Sequence, residues 1–233
     1  MLNVKPTPRQ RKFDSAAHLI YVHIGKCGGA SLWNAIQRSE RLASTFDKVS
    51  KTHVEKPPVH QLSRYLIVVR DPIQRAISAF NWRYRLVVSD GTQKDRFAGE
   101  YDVLNRYKTL DTLAASLYKA DRLDIAAARD FRAIHHLRED IAFYLEGLLE
   151  IIRPEQIYGV LRTETLAQDT QRVLGVASLP SVHENRSVTP PEQKHLSDQS
   201  LHNLRRFLAS DFAAVDRLAA LSPPITVKDK EFT

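Results

Sequence analysis

Two rhythms of apolar residues alternate along the chain. Residues 18–24 (His-Leu-Ile-Tyr-Val-His-Ile) and 65–70 (Tyr-Leu-Ile-Val-Val-Arg) are β-rich runs with little polar interruption, the pattern of strands buried on both faces of a parallel sheet. Between them, Leu32, Ala35 and Ile36 fall at helical spacing within residues 30–41, and a short extended stretch leads into Lys51-Thr52-His53. Asp71-Pro72 predicts a helix start, because aspartate accepts from the first free N–H groups and proline is tolerated at the first helical position. From residue 111 to 152 the spacing is helical, with no strand predicted. Residues 157–162 read as another short strand entering a helix over 164–174. Residues 176–196, with Pro180, Pro190 and Pro191, read as a loop, and one amphipathic helix is expected over 198–221. Strands alternating with helices predict an α/β fold of three layers, a central parallel sheet flanked by helices. Ligands of such sheets sit at the carboxyl ends of the strands.

Length and composition narrow this further. A chain of 233 residues with an ordinary share of apolar residues suits one globular α/β domain. The expected organisation is a flexible N-terminal arm at 1–15, one domain at 16–222 and a tail at 223–233, with residues 81–150 a helical insertion. The net charge of +7 favours anionic partners. Lysine and arginine are nevertheless spread along the whole chain rather than clustered, which disfavours a nucleic-acid-binding module. A single cysteine, Cys27, excludes an internal disulfide and a multi-cysteine zinc site. The basic N-terminus lacks an apolar core and no apolar run approaches the ~20 residues that span a bilayer, so a cytoplasmic protein without stable membrane insertion is expected.

Candidate chemistry gathers at three places. Gly25, Gly28 and Gly29 directly follow the first strand and precede a helix. Glycine lets backbone N–H groups approach a ligand closely, a helix N-terminus adds unpaired donors, and Lys26 and Ser31 bring a charge and a hydroxyl. Gly25-Lys-Cys-Gly-Gly-Ala-Ser31 is therefore a candidate cradle for a phosphate or an isosteric group. It is not a Walker A loop, in which lysine follows the last glycine and precedes Ser or Thr. Arg70 ends the second buried strand, where its planar fork can grip a phosphate, and Ser78 lies eight residues on with Arg75 between. His53 is the candidate base and Glu55 the alternative; His135-His136 and His183 lack a comparable setting.

In this order the three segments resemble the sulfotransferases that use 3′-phosphoadenosine 5′-phosphosulfate (PAPS). Tyr21-Val-His-Ile-Gly-Lys-Cys-Gly-Gly-Ala-Ser31 is similar to the 5′-phosphosulfate loop of carbohydrate sulfotransferases. Arg70 and Ser78 match the strand-end arginine and following serine that bind the 3′-phosphate, and Lys51-Thr-His53 resembles the cytosolic members' segment carrying the catalytic histidine. Leu161-Arg-Thr-Glu-Thr-Leu166 with Asp169, His183-Glu-Asn185, and the terminal helix with Asp211 resemble the family's later elements.

The resemblance implies a P-loop-like fold and in-line transfer of a sulfuryl group to an acceptor hydroxyl, with the insertion at 81–150 on the acceptor side, adenosine 3′,5′-bisphosphate as the second product and no metal. Aromatics beside arginines at Trp82, Arg83, Tyr84 and Arg85 suit a carbohydrate-like acceptor, and a small-metabolite or lipid hydroxyl stays open. The resemblance further implies that Gly25, Lys26, Cys27, Gly28, Gly29, Ala30, Ser31, Arg70 and Ser78 bind the nucleotide, that His53 takes the proton, and that Lys26 and Lys51 stabilise charge. Two departures stand out. Cys27 occupies a position where a small hydroxyl residue is common, and the Arg-Lys-Gly segment that completes the cytosolic 3′-phosphate site is missing, leaving Arg186 or Lys194 to substitute. Two other classes fit some of these features: a nucleotide or small-molecule kinase of similar fold, and a basic nucleic-acid-binding protein without catalysis. The first should carry lysine directly before Ser or Thr together with a magnesium-holding acid, and the second a recognisable module.

Overall fold

The two apolar runs are strands, and they lie side by side. The computed structural model describes residues 18–176 and 194–222, Ala30 by its backbone only. The predicted arm, the tail, Arg186 and His183-Glu-Asn185 fall outside the described residues. β1 (His18–His23) pairs in parallel with β2 (Lys48–Thr52) on one side and with β3 (Arg64–Val69) on the other. β6 (Ile157–Arg162) extends the sheet beyond β3, giving four parallel strands in the order β2-β1-β3-β6. His18 to Val22 and Tyr65 to Val69 are all buried, so both faces of the central strands are covered.

Helices supply the cover. α1 (Gly29–Arg38) and α2 (Glu40–Thr45) pack with α8 (Leu166–Leu174), while α7 (Ile141–Leu149) packs on α10 (Ala209–Leu221). Leu32, Ile36, Leu145, Leu148, Val173 and Leu218 meet the strands in one core. A second core forms among α3 (Pro72–Tyr84), α4 (Glu100–Tyr107), α5 (Leu110–Ser116), α6 (Ile125–Ala133) and α9 (Asp198–Phe207), around Phe80, Leu104, Leu113, Phe131 and Leu204. Most of the insertion expected at 81–150 thus builds its own apolar centre, and α3 joins it to the strand end at Arg70. Among the described residues no helix is long and apolar enough to cross a membrane.

Local departures have visible causes. The helix expected over 30–41 breaks at Ser39, whose hydroxyl accepts from the Leu42 N–H at 3.2 Å and donates to the Leu174 carbonyl at 2.6 Å, so it caps α2 and pins it to α8. The stretch before His53 is a full strand. Inside the region read as wholly helical, β4 (Tyr118–Lys119) and β5 (Arg122–Leu123) form a small hairpin. Its two turn residues, Ala120 and Asp121, both have positive φ (45° and 61°), the geometry of a primed turn without the glycine that usually announces one. The helix expected over 198–221 divides at Leu208 into α9 and α10.

Candidate active site

Strand order reverses between β1 and β3: β2 lies to one side of β1, and the chain then crosses back to form β3 on the other. A crevice opens at the carboxyl ends of strands at such a point. The glycine-rich loop leaves β1 there, Arg70 leaves β3 there, and His53 leaves β2 one strand over.

The loop is closed by its own backbone and gripped from below. The Cys27 N–H donates to the Ile24 carbonyl at 3.2 Å, and Lys26 and Gly28 both take positive φ (71° and 84°). Gly28 is the N-cap of α1 and carries no side-chain cap, so the first N–H groups of α1 have no intrahelical acceptor and no capping oxygen. Arg75, 2% exposed, donates from Nε to the Gly25 carbonyl at 3.0 Å and from Nη2 to the carbonyls of His136 (2.8 Å) and Glu139. Arg75 is thus a strut under the loop rather than a ligand. Cys27, expected among the nucleotide-binding residues, has its side chain in the sheet core. Its thiol is fully buried, 3.9 Å from the Gly25 carbonyl and pushed up to about 12 by burial, while its N–H closes the turn.

The charged groups converge above this loop. Arg70 reaches the Lys26 carbonyl through Nη1 at 3.4 Å. The Lys26 ammonium lies 4.2 Å over the Trp82 ring, which also carries the Arg85 guanidinium at 4.6 Å. Arg85 opens a five-residue π-turn, Arg85–Ser89, at the end of α3. Burial first, then the charges of Arg70, Arg85 and Arg75, lower Lys26 from 10.5 to about 8. Positive charge is concentrated here beyond what local carboxylates offset: the contact of Arg85 with Asp90 is 3.9 Å long.

His53 is anchored by a backbone carbonyl and a stacked ring. Its Nδ1 is 3.2 Å from the His23 carbonyl; a carbonyl can only accept, so Nδ1 carries a hydrogen, and of the two tautomers of a neutral ring this contact selects the one with its lone pair on Nε2. The ring stacks on His23 at 4.2 Å and 17°. Burial, reinforced by His53 and Lys51, pushes His23 down to about 3, so this neighbour stays neutral. On its other side His53 meets His136, with ring centroids 6.4 Å apart. The glycines make room for these rings. A Cβ on Gly29 would stand 1.5 Å from His23 Nε2, and one on Gly25 would stand 2.7 Å from His136 Nδ1.

Lys26, His53 and Arg70 are therefore gathered by adjoining strand ends. Ser31 and Ser78 are half-buried in the first turns of α1 and midway along α3, with hydroxyls that bond no other described residue. Ala30 contributes the first-turn backbone of α1. Lys51 sits at the rim, its ammonium 5.0 Å over Trp33. Glu55 is exposed beyond Val54, and Lys194 is exposed at the start of the second described stretch. The sequence undervalued His135-His136: the doublet was visible, but only the chain's path brings it to Gly25. Leu161-Arg-Thr-Glu-Thr-Leu166 serves as a brace, with Glu164 accepting from the Asp71 N–H at 3.0 Å and Thr163 donating to the Val69 carbonyl at 3.2 Å.

No known family, curated protein or solved structure matches this chain. Function is therefore argued from the site alone. A cavity of about 280 Å³ lies elsewhere, on the outer edge of β6, and none of the candidate residues lines it. Its carboxylate is already engaged: Asp169 accepts from the Arg162 N–H, the Thr165 hydroxyl and Arg172. The crevice at the strand switch, with under-compensated cations, free N–H groups and an imidazole anchored through Nδ1, is the better chemical site. Among the described residues no set of three or more His, Cys, Asp and Glu is arranged to hold a metal ion.

Proposed function

We propose that this protein is a PAPS-dependent sulfotransferase of P-loop-like fold, which moves a sulfuryl group to an acceptor hydroxyl of carbohydrate-like class. The observation that carries this is the tautomer-fixed His53 beside Lys26 and Arg70, each at the end of a neighbouring parallel strand. The 5′-phosphosulfate would lie over the open N-terminus of α1 and the 3′-phosphate between Arg70 and Ser78. His53 Nε2 accepts the proton of the acceptor hydroxyl as its oxygen bonds to sulfur. The bond from sulfur to the bridging oxygen breaks in line, and the electron pair leaves on the nucleotide. Lys26 stabilises that charge, and a partly buried ammonium does so more strongly than an exposed one. As in phosphoryl transfer, the protein contributes mainly position and field. Trp82 and Arg85 stand on the flank from which a saccharide would enter.

Calorimetry with adenosine 3′,5′-bisphosphate and with ATP is the first test. The bisphosphate should bind without magnesium and ATP only weakly; magnesium-dependent tight binding of ATP would point to a kinase and defeat the proposal. His53→Ala should lower turnover by roughly 10²–10⁴-fold, the usual worth of a general base, while leaving bisphosphate affinity nearly unchanged. Arg70→Ala should weaken that affinity instead. Near wild-type turnover in the His53 variant would pass the base role to Glu55.

A further inference from the structure

The connection between α6 and α7 is anchored by buried charges. Arg75 holds the carbonyls of His136 and Glu139 while also holding that of Gly25. Glu100, fully buried, takes Arg83 at 2.9 and 2.7 Å and also accepts the His135 N–H at 2.8 Å. Ionised groups are costly to bury, and here they bond main-chain atoms of one short segment. What they enforce is an unfavourable backbone: His136 has φ 68°, a left-handed conformation that costs a non-glycine residue on the order of 1–2 kcal/mol. Strain that the surroundings over-determine is found where a side chain must be aimed.

The His136 side chain is aimed at the loop. Its Nδ1 packs against the space a Gly25 Cβ would fill, its ring is tilted on His135 at 4.2 Å, and neither nitrogen bonds another described residue. Burial, aided by His135, Lys26, Arg75 and His53, pushes the ring down to about 2, so it is neutral at any working pH. A neutral imidazole carries one N–H donor. Lys51, expected to help Lys26 stabilise charge, has its ammonium over the Trp33 ring.

We propose that His136 is a further catalytic residue of this site, donating a hydrogen bond from its neutral ring to the non-bridging oxygens of the group being transferred, across the loop from His53. This rests on the sulfotransfer reading above. His136 makes and breaks no covalent bond and exchanges no proton in the step. It offers the oxyanions a donor that does not compete with His53 for the acceptor's proton, while Lys26 remains committed to the bridging oxygen.

The test uses full-length protein and two variants. His136→Gly removes the donor and relieves the backbone strain, with thermal melts as the check on folding; His136→Gln restores an amide N–H at similar reach. The Gly variant should lose roughly 10²-fold or more in kcat, as when one oxyanion donor is removed. Its affinity for adenosine 3′,5′-bisphosphate, which lacks the sulfuryl group, should stay within about threefold of wild type, a shift too small to signal a lost charged contact. The Gln variant should recover at least part of the loss, and the acid limb of its pH–rate profile should not move. Turnover near wild type in the Gly variant, or a Gln variant no better than Gly when both melt like wild type, would overturn the assignment. So would a loss confined to bisphosphate affinity. If wild type instead moves a phosphoryl group from ATP and the Gly variant impairs that transfer, the donor class fails while the role of His136 stands. If wild type binds no nucleotide, both fall together.

Discussion

Lys26 shows how much of this site is decided by one side chain. It holds a positive φ usually left to glycine, its carbonyl receives Arg70, and its ammonium is covered by Trp82. Lowered to about 8, it is the group whose charge responds to mild alkali. An anion bound to it favours the protonated form, so the free protein, but not the complex, loses the proton as pH rises above about 8. Affinity for adenosine 3′,5′-bisphosphate should accordingly be flat from pH 6.5 to 7.5. It should weaken above that by up to roughly tenfold per pH unit, the limit for a single linked proton. Calorimetry across this range checks it, and Lys26→Met should bind weakly and without this slope. The sequence disclosed Lys26 and Arg70 because each follows a strand whose burial is visible in its composition, and His53 only through the Lys51-Thr-His53 pattern, since the strand before it is mostly polar. It did not disclose His23 and His136, since a histidine acquires its role from what the chain folds against it: here the faces of Gly29 and Gly25.

At the scale of elements, strands buried on both faces were the legible part. Residues 18–24 and 65–70 stand where expected because their apolar runs admit no other environment, while 157–162, also a strand as expected, lies at the edge of the described sheet with only alternate residues buried. Helix ends were less legible: the break at Ser39 depends on a partner in α8, 135 residues away, and the hairpin at Tyr118–Leu123 turns on Ala120 and Asp121. Glycines separate the two kinds of information. Gly29 at the head of α1 faces an imidazole with no room for a methyl group, whereas Gly147 inside α7 has nothing within 4 Å of the position its Cβ would take. The same substitution should therefore act in opposite directions. Gly147→Ala should stabilise by about 0.5–1 kcal/mol, the helix-propensity difference. Gly29→Ala must displace His23 and with it the stacking partner of His53, costing on the order of 1–3 kcal/mol as overpacking does. Thermal melts of the two variants would show one rise and one fall; a Gly29→Ala protein that melts at or above wild type would contradict the contact.

Over the whole molecule, the two cores are joined where α3 passes beneath the loop, and within the sheet core α10 meets α7. Asp211 of α10 is 1% exposed, accepts the Ala142 N–H at 2.9 Å and has no partner for Oδ2. Asp140, capping the same helix through the Phe143 N–H at 2.8 Å and paired with Arg132, and Arg75 are the charged groups it faces. Burial first, then Asp140, raise Asp211 from 3.8 to about 6, against the pull of the Ala142 N–H, Arg75 and the Ile141 N–H. A carboxyl raised on folding binds its proton more tightly in the native state than in the unfolded chain. Its stabilising share is complete below about pH 4 and is lost as pH rises through about 6. At neutral pH the ionised group is a net burden on the junction of α7 and α10. Asp211→Asn keeps the acceptor for Ala142 and offers Asp140 an N–H in place of a second charge. The variant should melt at the wild-type temperature near pH 4.5. By pH 7.5 it should gain on the order of 2 kcal/mol, or roughly 5 °C for a domain of this size. A difference between the two proteins that stays constant from pH 4.5 to 7.5 would show that the burden lies elsewhere.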